Sequence, residues 1–265
     1  MRKSLLALSV LATTVAIPAQ AEYLYGFGSM YADYQVWDQG IGNDDDNFGG
    51  DISDRNQAVI GIEGGAAFDW GQIYGFYDYE GVDRAGDDRG ASAKGTIHYN
   101  LMDTKVSLYA QVYNTDADSG FHEQNRVLGL GYTGLNGDGW AFTPFIGAHQ
   151  VNQTDANFGG STNSGNNGGM AGWVGFYNTD IMGQNFTFSS WGEYEFARND
   201  AYADAQSTTN GDGVGSESWG LNGSANAMWN FHQNWSTGVL YRFTVNKLGR
   251  KGYEDLIIYR LQYNF

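Results

Sequence analysis

Four side chains recur at every second position of one short stretch: Tyr74, Phe76, Asp78 and Glu80. In an extended strand, side chains alternate between faces with a rise of about 3.3 Å per residue. Two rings and two carboxylates therefore share one face within a few residues. Rings stack on flat ligands, and carboxylates accept hydrogen bonds from hydroxyl groups. The chemistry on offer is recognition of a flat ring that carries hydroxyls, with no bond made or broken.

The same parity can be followed along the chain. It puts Ile73, Tyr77 and Tyr79 on the opposite face of that strand. Elsewhere it groups Lys94, Thr96 and His98, then Tyr109, Gln111 and Tyr113, then Thr143, Phe145 and His149. Glu193 and Glu195 alternate with Phe186, Phe188, Tyr194 and Phe196. Asn222, Asn226, Arg242 and Arg260 complete the polar set, and Phe27, Tyr31, Asp33 and Gln35 are its members near the start. The candidate ligand-facing residues are thus Tyr74, Phe76, Asp78, Glu80, Lys94, His98, Tyr109, Tyr113, Phe145, Glu193, Glu195, Arg242 and Arg260. Base–aromatic stacking is worth about 1–3 kcal/mol per base, and Asp, Glu and Asn can pair with ribose hydroxyls and base edges. The alternative is that the inner rings merely fill a small closed sheet. Both readings stand on residue types alone.

The elements that position these residues are strands. From Asp255 to Phe265, Ile257, Tyr259, Leu261, Tyr263 and Phe265 form an apolar face, backed by Ile258, Arg260, Gln262 and Asn264. Such a strand has the length of one tilted bilayer crossing, about 9–11 residues. Alternation and turn signals predict about twelve strands, over 23–37, 57–69, 72–80, 92–101, 105–114, 123–133, 139–151, 169–179, 185–197, 217–230, 235–247 and 255–265. The predicted connections alternate between short ones and long ones at 38–56, 81–91, 115–122, 152–168, 198–216 and 248–254. Transmembrane barrels sort their loops in this way, with short periplasmic turns and longer external loops. The expected fold is all-β, a single antiparallel transmembrane β-barrel of about twelve strands with both mature ends on the short-turn side.

Arg2 and Lys3, the apolar run from Leu5 to Ile17, and Ala19-Gln20-Ala21 read as a cleaved export signal. Residues 1–21 are then the signal peptide and 22–265 the barrel. No other apolar run is long enough to span as a helix, so a membrane-embedded form must be a barrel. With 39 glycines, no cysteine and 15% aromatics, the chain is β-rich and lacks a disulfide framework. The mean hydropathy of −0.44 is compatible with a barrel, because half of each strand faces a polar lumen. Trp37, Trp70, Trp140, Trp229 and Trp235 fall near strand ends, where aromatic girdles meet the interface.

The formal net charge is −16, and two units more negative once Arg2 and Lys3 leave with the signal. That argues against nucleic acid polymers as partners and fits divalent cations bridging acidic loops to lipopolysaccharide. The loop from Asn43 to Asp51 lacks the Glu of a calcium-binding loop at its twelfth position, and no metal-ligand spacing occurs. No cofactor is expected. A barrel-type lipid hydrolase needs a Ser–His pair on the lipid face. His98 and His149 point inward by parity, while His122 and His232 fall in a loop and a turn. Enzyme function is therefore not expected.

The stretch from Gln57 to Glu80 resembles the second hairpin of the Tsx/OmpK family of nucleoside-specific outer-membrane channels. The similarity is carried by Asp69-Trp70 followed by Ile73-Tyr74-Gly75-Phe76-Tyr77-Asp78, and more generally by the export signal and the terminal Gln262-Tyr263-Asn264-Phe265. The resemblance implies a monomeric twelve-stranded barrel with a narrow pore in the outer membrane of a Gram-negative bacterium. It implies passive nucleoside uptake, with Tyr74, Phe76 and Asp78 as the residues that carry over. It also implies external loops that phages and colicins can use for docking. A general small-solute porin is the alternative.

Overall fold

The computed structural model describes residues 21–42, 51–155, 161–209, 215–249 and 251–265. The export signal up to residue 20 and most of the acidic loop from Asn43 lie outside this range. The strands are β1 (Tyr23–Val36), β2 (Gln57–Phe68), β3 (Gly71–Glu80), β4 (Gly90–Asn100), β5 (Val106–Ala117), β6 (Phe121–Tyr132), β7 (Leu135–Gly137), β8 (Trp140–Asp155), β9 (Ser161–Ile181), β10 (Gln184–Phe196), β11 (Gly220–His232), β12 (Trp235–Val245) and β13 (Tyr253–Asn264).

Each barrel strand pairs antiparallel with its neighbours, and the ring closes on itself. β1 runs beside β13 from Ser29 opposite Asn264 to Val36 opposite Ile257. β6 runs beside β8 from Phe121 opposite Asp155 to Gly131 opposite Phe145. The three-residue β7 pairs only with the start of β8 and stands outside the ring. The result is a closed barrel of twelve strands. Closure leaves no unpaired edge, so every backbone group of the wall can be satisfied without water. Among the described residues, no helix is long and apolar enough to cross a membrane.

The connections sort by end. Residues 69–70, 101–105, 133–139, 182–183 and 233–234 make the tight end. Both ends of the barrel wall are tied there: the Asp69 amide donates to the Glu22 carbonyl, and the Asn264 amide to the Asn234 carbonyl, at 3.0 and 2.7 Å. The other end carries the long connections, including helix α1 (Asp200–Thr209). Two expected loops are different in the structure. The connection at 115–122 shrinks to residues 118–120, because β5 and β6 stay paired out to Asp116 opposite His122. The Gly/Asn-rich run before residue 169 is strand, because β8 and β9 keep pairing from Gln150 opposite Asn166 to Asp155 opposite Ser161. The backbone ladder between the two strands defines this hairpin.

The alternation sets the two faces. In β1, Ser29, Tyr31, Asp33 and Gln35 are buried, while Met30, Ala32 and Tyr34 are exposed. In β6, Glu123, Asn125 and Val127 are buried, while Arg126, Leu128 and Leu130 are exposed. The exposed outer aliphatics suit a solvent of lipid. Eight strands enclose a space that side chains fill, and sixteen enclose a water channel. Twelve fall between, and this lumen is partly filled. One apolar cluster joins Tyr109, Val127, Phe145 and Met170. A second joins Met228, Leu240, Leu256 and Ile258, with Trp37 packed on it. Trp70, Trp140, Trp229 and Trp235 do sit at the tight end of the wall, but Trp37 turns inward under the guanidinium of Arg55, at 3.6 Å.

Candidate functional site

Four rings form a continuous ladder along one wall of the lumen. Phe27 stacks on Tyr74 at 6.2 Å between centroids, Tyr74 meets Phe76 at 6.4 Å, and Phe76 meets Tyr113 at 6.4 Å. The rings come from β1, β3 and β5, so the intervening strands must leave room. Gly65 of β2 lies directly between Phe27 and Tyr74 in the register. A Cβ there would come within 2.8 Å of the Phe27 ring. Gly61 does the same two levels further out, where it separates Tyr31 from Asp78. A Cβ at Gly61 would lie 2.3 Å from both Asp78 Oδ1 and the Tyr31 ring. With glycine present, the Tyr31 hydroxyl donates to Asp78 Oδ1 at 2.5 Å.

The polar groups beside the ladder are interlinked. Arg260 makes a bidentate pair with Asp33, Nε to Oδ1 and one terminal nitrogen to Oδ2, both at 2.8 Å. Its other terminal nitrogen is 3.5 Å from Glu63, and its guanidinium lies 3.6 Å over the Tyr31 ring. The Tyr74 hydroxyl donates to Glu63 Oε2 at 2.7 Å, and Ser92 donates to Glu80 at 2.8 Å. These bonds fix ring orientation. They engage the hydroxyls, so what these rings could offer a ligand is their faces.

Lys94 sits in the register between Phe76 and Tyr113. Its ammonium crosses the lumen to Glu193 Oε1, at 2.5 Å. β4 and β10 are five strands apart one way around the ring and seven the other, so this ion pair is a bar across the barrel. Gln111 donates to the same carboxylate oxygen at 2.9 Å. Trp191 lies two residues before Glu193 on the same face. The Lys94 ammonium is 5.4 Å from the Trp191 ring and the Arg242 guanidinium 5.7 Å from it. The ladder on one wall therefore looks across the bar at a tryptophan flanked by two cations.

The expected residues divide into three groups. Tyr74, Phe76, Tyr113, Lys94, Glu193 and Arg242 gather around the open lumen, with Asp78, Glu80 and Arg260 beside them. His98, Tyr109 and Phe145 are packed together instead. Tyr109 stacks on Phe145 at 4.1 Å and against His98 at 4.7 Å, and Tyr109 and Phe145 are only 3% and 6% exposed. His98 Nδ1 is 2.9 Å from Ser107 Oγ, a contact of the kind hydrolases use, yet Ser107 is fully buried and no substrate can reach it. Glu195 belongs to a third group at the outer mouth. It pairs with Arg198 at 3.0 Å and lies 3.6 Å from His149. Arg198 also donates to the carbonyls of Trp219 and Asn246. Tyr202 of α1 reaches down to Glu123 Oε2 at 3.0 Å, which seats the helix on the inner wall of the mouth.

Outside the spanning strands, burial opposes charge. It pushes the Tyr202 phenol well above its usual range, and the Glu123 carboxylate adds to this, so Tyr202 stays a neutral donor. Burial works against the Arg198 guanidinium too, but Glu195 outweighs it and the group is held above its usual range. Among the described residues, no cluster of His, Asp and Glu could hold a metal ion.

Two residues of this region escape the reading by residue type. Trp191 shares the parity of Glu193 and Glu195 and was recoverable from it. Glu63 lies in a glycine-rich strand, where alternation is weak, and only the register places it opposite Phe76.

Several solved structures are similar over nearly their whole length, at low identity. The structure titled as the NanC porin in a rhombohedral crystal form shares 10% identity, covers 90% of this chain and 98% of its own, and superposes with a TM-score of 0.48. The β domain of the Bordetella autotransporter BrkA shares 13% identity over 91% of this chain and 98% of its own, with a TM-score of 0.36. A bacterial polysaccharide outer-membrane secretin shares 8% identity over 91% and 98%, with a TM-score of 0.43. The sequence itself is more specific: residues 29–265 match the family described as nucleoside-specific channel-forming protein, Tsx, and the chain belongs to that family.

Proposed function

We propose that this chain is a monomeric outer-membrane channel through which nucleosides pass passively, with lipopolysaccharide and outer-membrane lipid around it. The observation that carries the reading is the ring ladder Phe27–Tyr74–Phe76–Tyr113 facing a lumen barred by Lys94 and Glu193. A base stacks on the ladder, and ribose hydroxyls meet the carboxylates and amides beside it. Passage down such a ladder exchanges one stacking partner for the next, so binding stays shallow enough to release.

The bar supports a substrate-specific channel over a general porin, which needs a wide wet path. Tyr109, Phe145 and His98 serve as packing in this reading, and Glu195 anchors the mouth. The test is planar-bilayer conductance of the purified mature protein with and without adenosine. A small conductance that adenosine blocks supports the proposal. A large conductance that no nucleoside blocks refutes it in favour of a general porin. Phospholipid hydrolysis by the purified protein would favour an enzyme instead.

A further inference from the structure

Four strand positions carry Lys or Arg among the described residues: Lys94, Arg126, Arg242 and Arg260. Three point into the lumen. Arg126 alone points outward, between the buried Asn125 and Val127.

Its surroundings are ordered in rows across β5, β6 and β8. Toward the tight end, beyond the first row Val106–Tyr132, the outer face reads Leu108–Leu130–Ile146 and then Ala110–Leu128–Ala148. The next rows are Val112–Arg126–Gln150, Asn114–Gln124–Asn152 and Asp116–His122–Thr154. The wall thus changes from apolar to polar in one step, between Leu128 and Arg126. Elsewhere the same end of the wall carries outward rings: Tyr34, Tyr77, Tyr79, Tyr194, Phe196, Tyr241, Phe243 and Tyr259. At this end the strands from β4 to β9 carry no outward Tyr, Phe or Trp among the described residues, and over β5, β6 and β8 amides and one cation stand in that gap. A shallow cleft lined by Asn114, His122, Glu123, Gln124, Asn152 and Thr154 opens there, with Glu123 turned toward the lumen side of β6.

Arg126 is exposed, and its described hydrogen bonds go to Gln124 Oε1, from Nε at 2.7 Å and from a terminal nitrogen. No carboxylate pairs with it among the described residues. The acid on this face, Asp116, contacts His122 one row beyond Gln124. An outward Arg is costly at the bilayer midplane, and the cost nearly vanishes at the interface. A guanidinium with free donors at that level matches a phosphate, which it binds through a planar fork. The flanking Asn114, Gln150, Asn152 and Thr154 offer donors and acceptors to sugar hydroxyls. Basic sites at membrane level recognise lipid headgroups by this logic.

We propose that the outer face of β5, β6 and β8 is a binding ledge for the phosphorylated saccharide headgroup of an outer-leaflet glycolipid, with Arg126 on the phosphate. This contact is direct and needs no bridging divalent cation, and it is independent of the lumen.

The test is native mass spectrometry of the delipidated mature barrel in detergent with EDTA, titrated with bisphosphorylated or dephosphorylated lipid A. Wild type should bind the phosphorylated form at least tenfold more tightly than the dephosphorylated one. Arg126→Gln should lose that preference, and Arg126→Lys should regain part of it. Adenosine block of the channel should be the same in all three. Equal binding of the two lipid A forms by wild type would overturn the proposal, as would an unchanged preference in Arg126→Gln. Arg126 is exposed at the surface, and heat-modifiable gel mobility of the variants would verify that they are folded.

Discussion

Replacing Phe76 by Ala separates recognition from packing. The ring touches Tyr74 on one side and Tyr113 on the other, both at 6.4 Å and tilted. It lies on the lumen face and is only partly buried, so its loss should leave no sealed cavity. The two ring contacts are worth about 0.5–1.5 kcal/mol each, and the barrel should lose no more than about 1–3 kcal/mol. A base that stacked on this ring loses about 1–3 kcal/mol, or roughly 5- to 150-fold in Kd. The contrasting change is Tyr109→Ala. Tyr109 is buried against Phe145 and His98, and removing a core ring of that size costs about 3–5 kcal/mol. Adenosine titration of single-channel block, with thermal unfolding of the same samples, reads both quantities. Phe76→Ala should weaken block strongly and shift the melt little, and Tyr109→Ala should do the reverse. Unchanged block in folded Phe76→Ala would refute the ladder as the stacking surface. Lost block with an unshifted melt in Tyr109→Ala would move the site to the Tyr109–Phe145 pair.

Lys94→Gln should raise ion conductance by opening the bar, and should destabilise the barrel by about 3–5 kcal/mol because Glu193 is left without its cation; the double change with Glu193→Gln should recover much of that stability on a denaturant titration. Gly61→Ala should break the Tyr31–Asp78 hydrogen bond, since the new methyl would lie 2.3 Å from both partners; a melting temperature equal to wild type would show that the two strands can shift apart freely. Leu261→Arg, on the lipid face, should cost about 2–4 kcal/mol near the midplane. Tyr259→Arg should cost about 0–1 kcal/mol near the interface, because the Tyr259 hydroxyl reaches Gln39 at the loop end. Urea unfolding in lipid vesicles would rank the two. Gln262→Arg faces the lumen and should alter conductance with little change in stability.

The barrel was legible because its constraint is periodic. Lipid on one side and a polar lumen on the other force a period of 2 on every strand, and the predicted strands match the observed ones apart from a few terminal residues and the extended β8–β9 arm. Loop parity was equally legible, since antiparallel closure puts every second connection at the same end. The exceptions occur where the constraint lapses. Beyond the membrane, the run from Ser161 to Gly169 is rich in Gly, Asn and Ser and has no apolar face, so nothing in its composition distinguishes a paired arm from a loop. The pairing with β8 decides it, and that partner is remote information. The expected loop at 115–122 makes a second case. Asp116, Asp118 and Ser119 read as loop, yet the ladder persists through Asp116 and His122 because neighbouring strands are already in register.

The site was legible only in part, and the reason is geometric. Parity says that a side chain points inward, but not what stands across the lumen from it. Tyr109 and Tyr113 have the same type, strand and face. One is sealed under Phe145, and the other is partly exposed beside Lys94 and Phe76, because the inner wall near Tyr109 is crowded by Val127 and Met170 while that near Tyr113 meets Phe76. Lys94 and Glu193 are 99 residues apart and not on neighbouring strands, so no local pattern joins them. Their meeting depends on the strand number, which sets the width of the lumen. With more strands, a lysine and a glutamate at these positions would face separate water. With twelve, they touch, and the ion pair crosses the lumen beside the ring ladder.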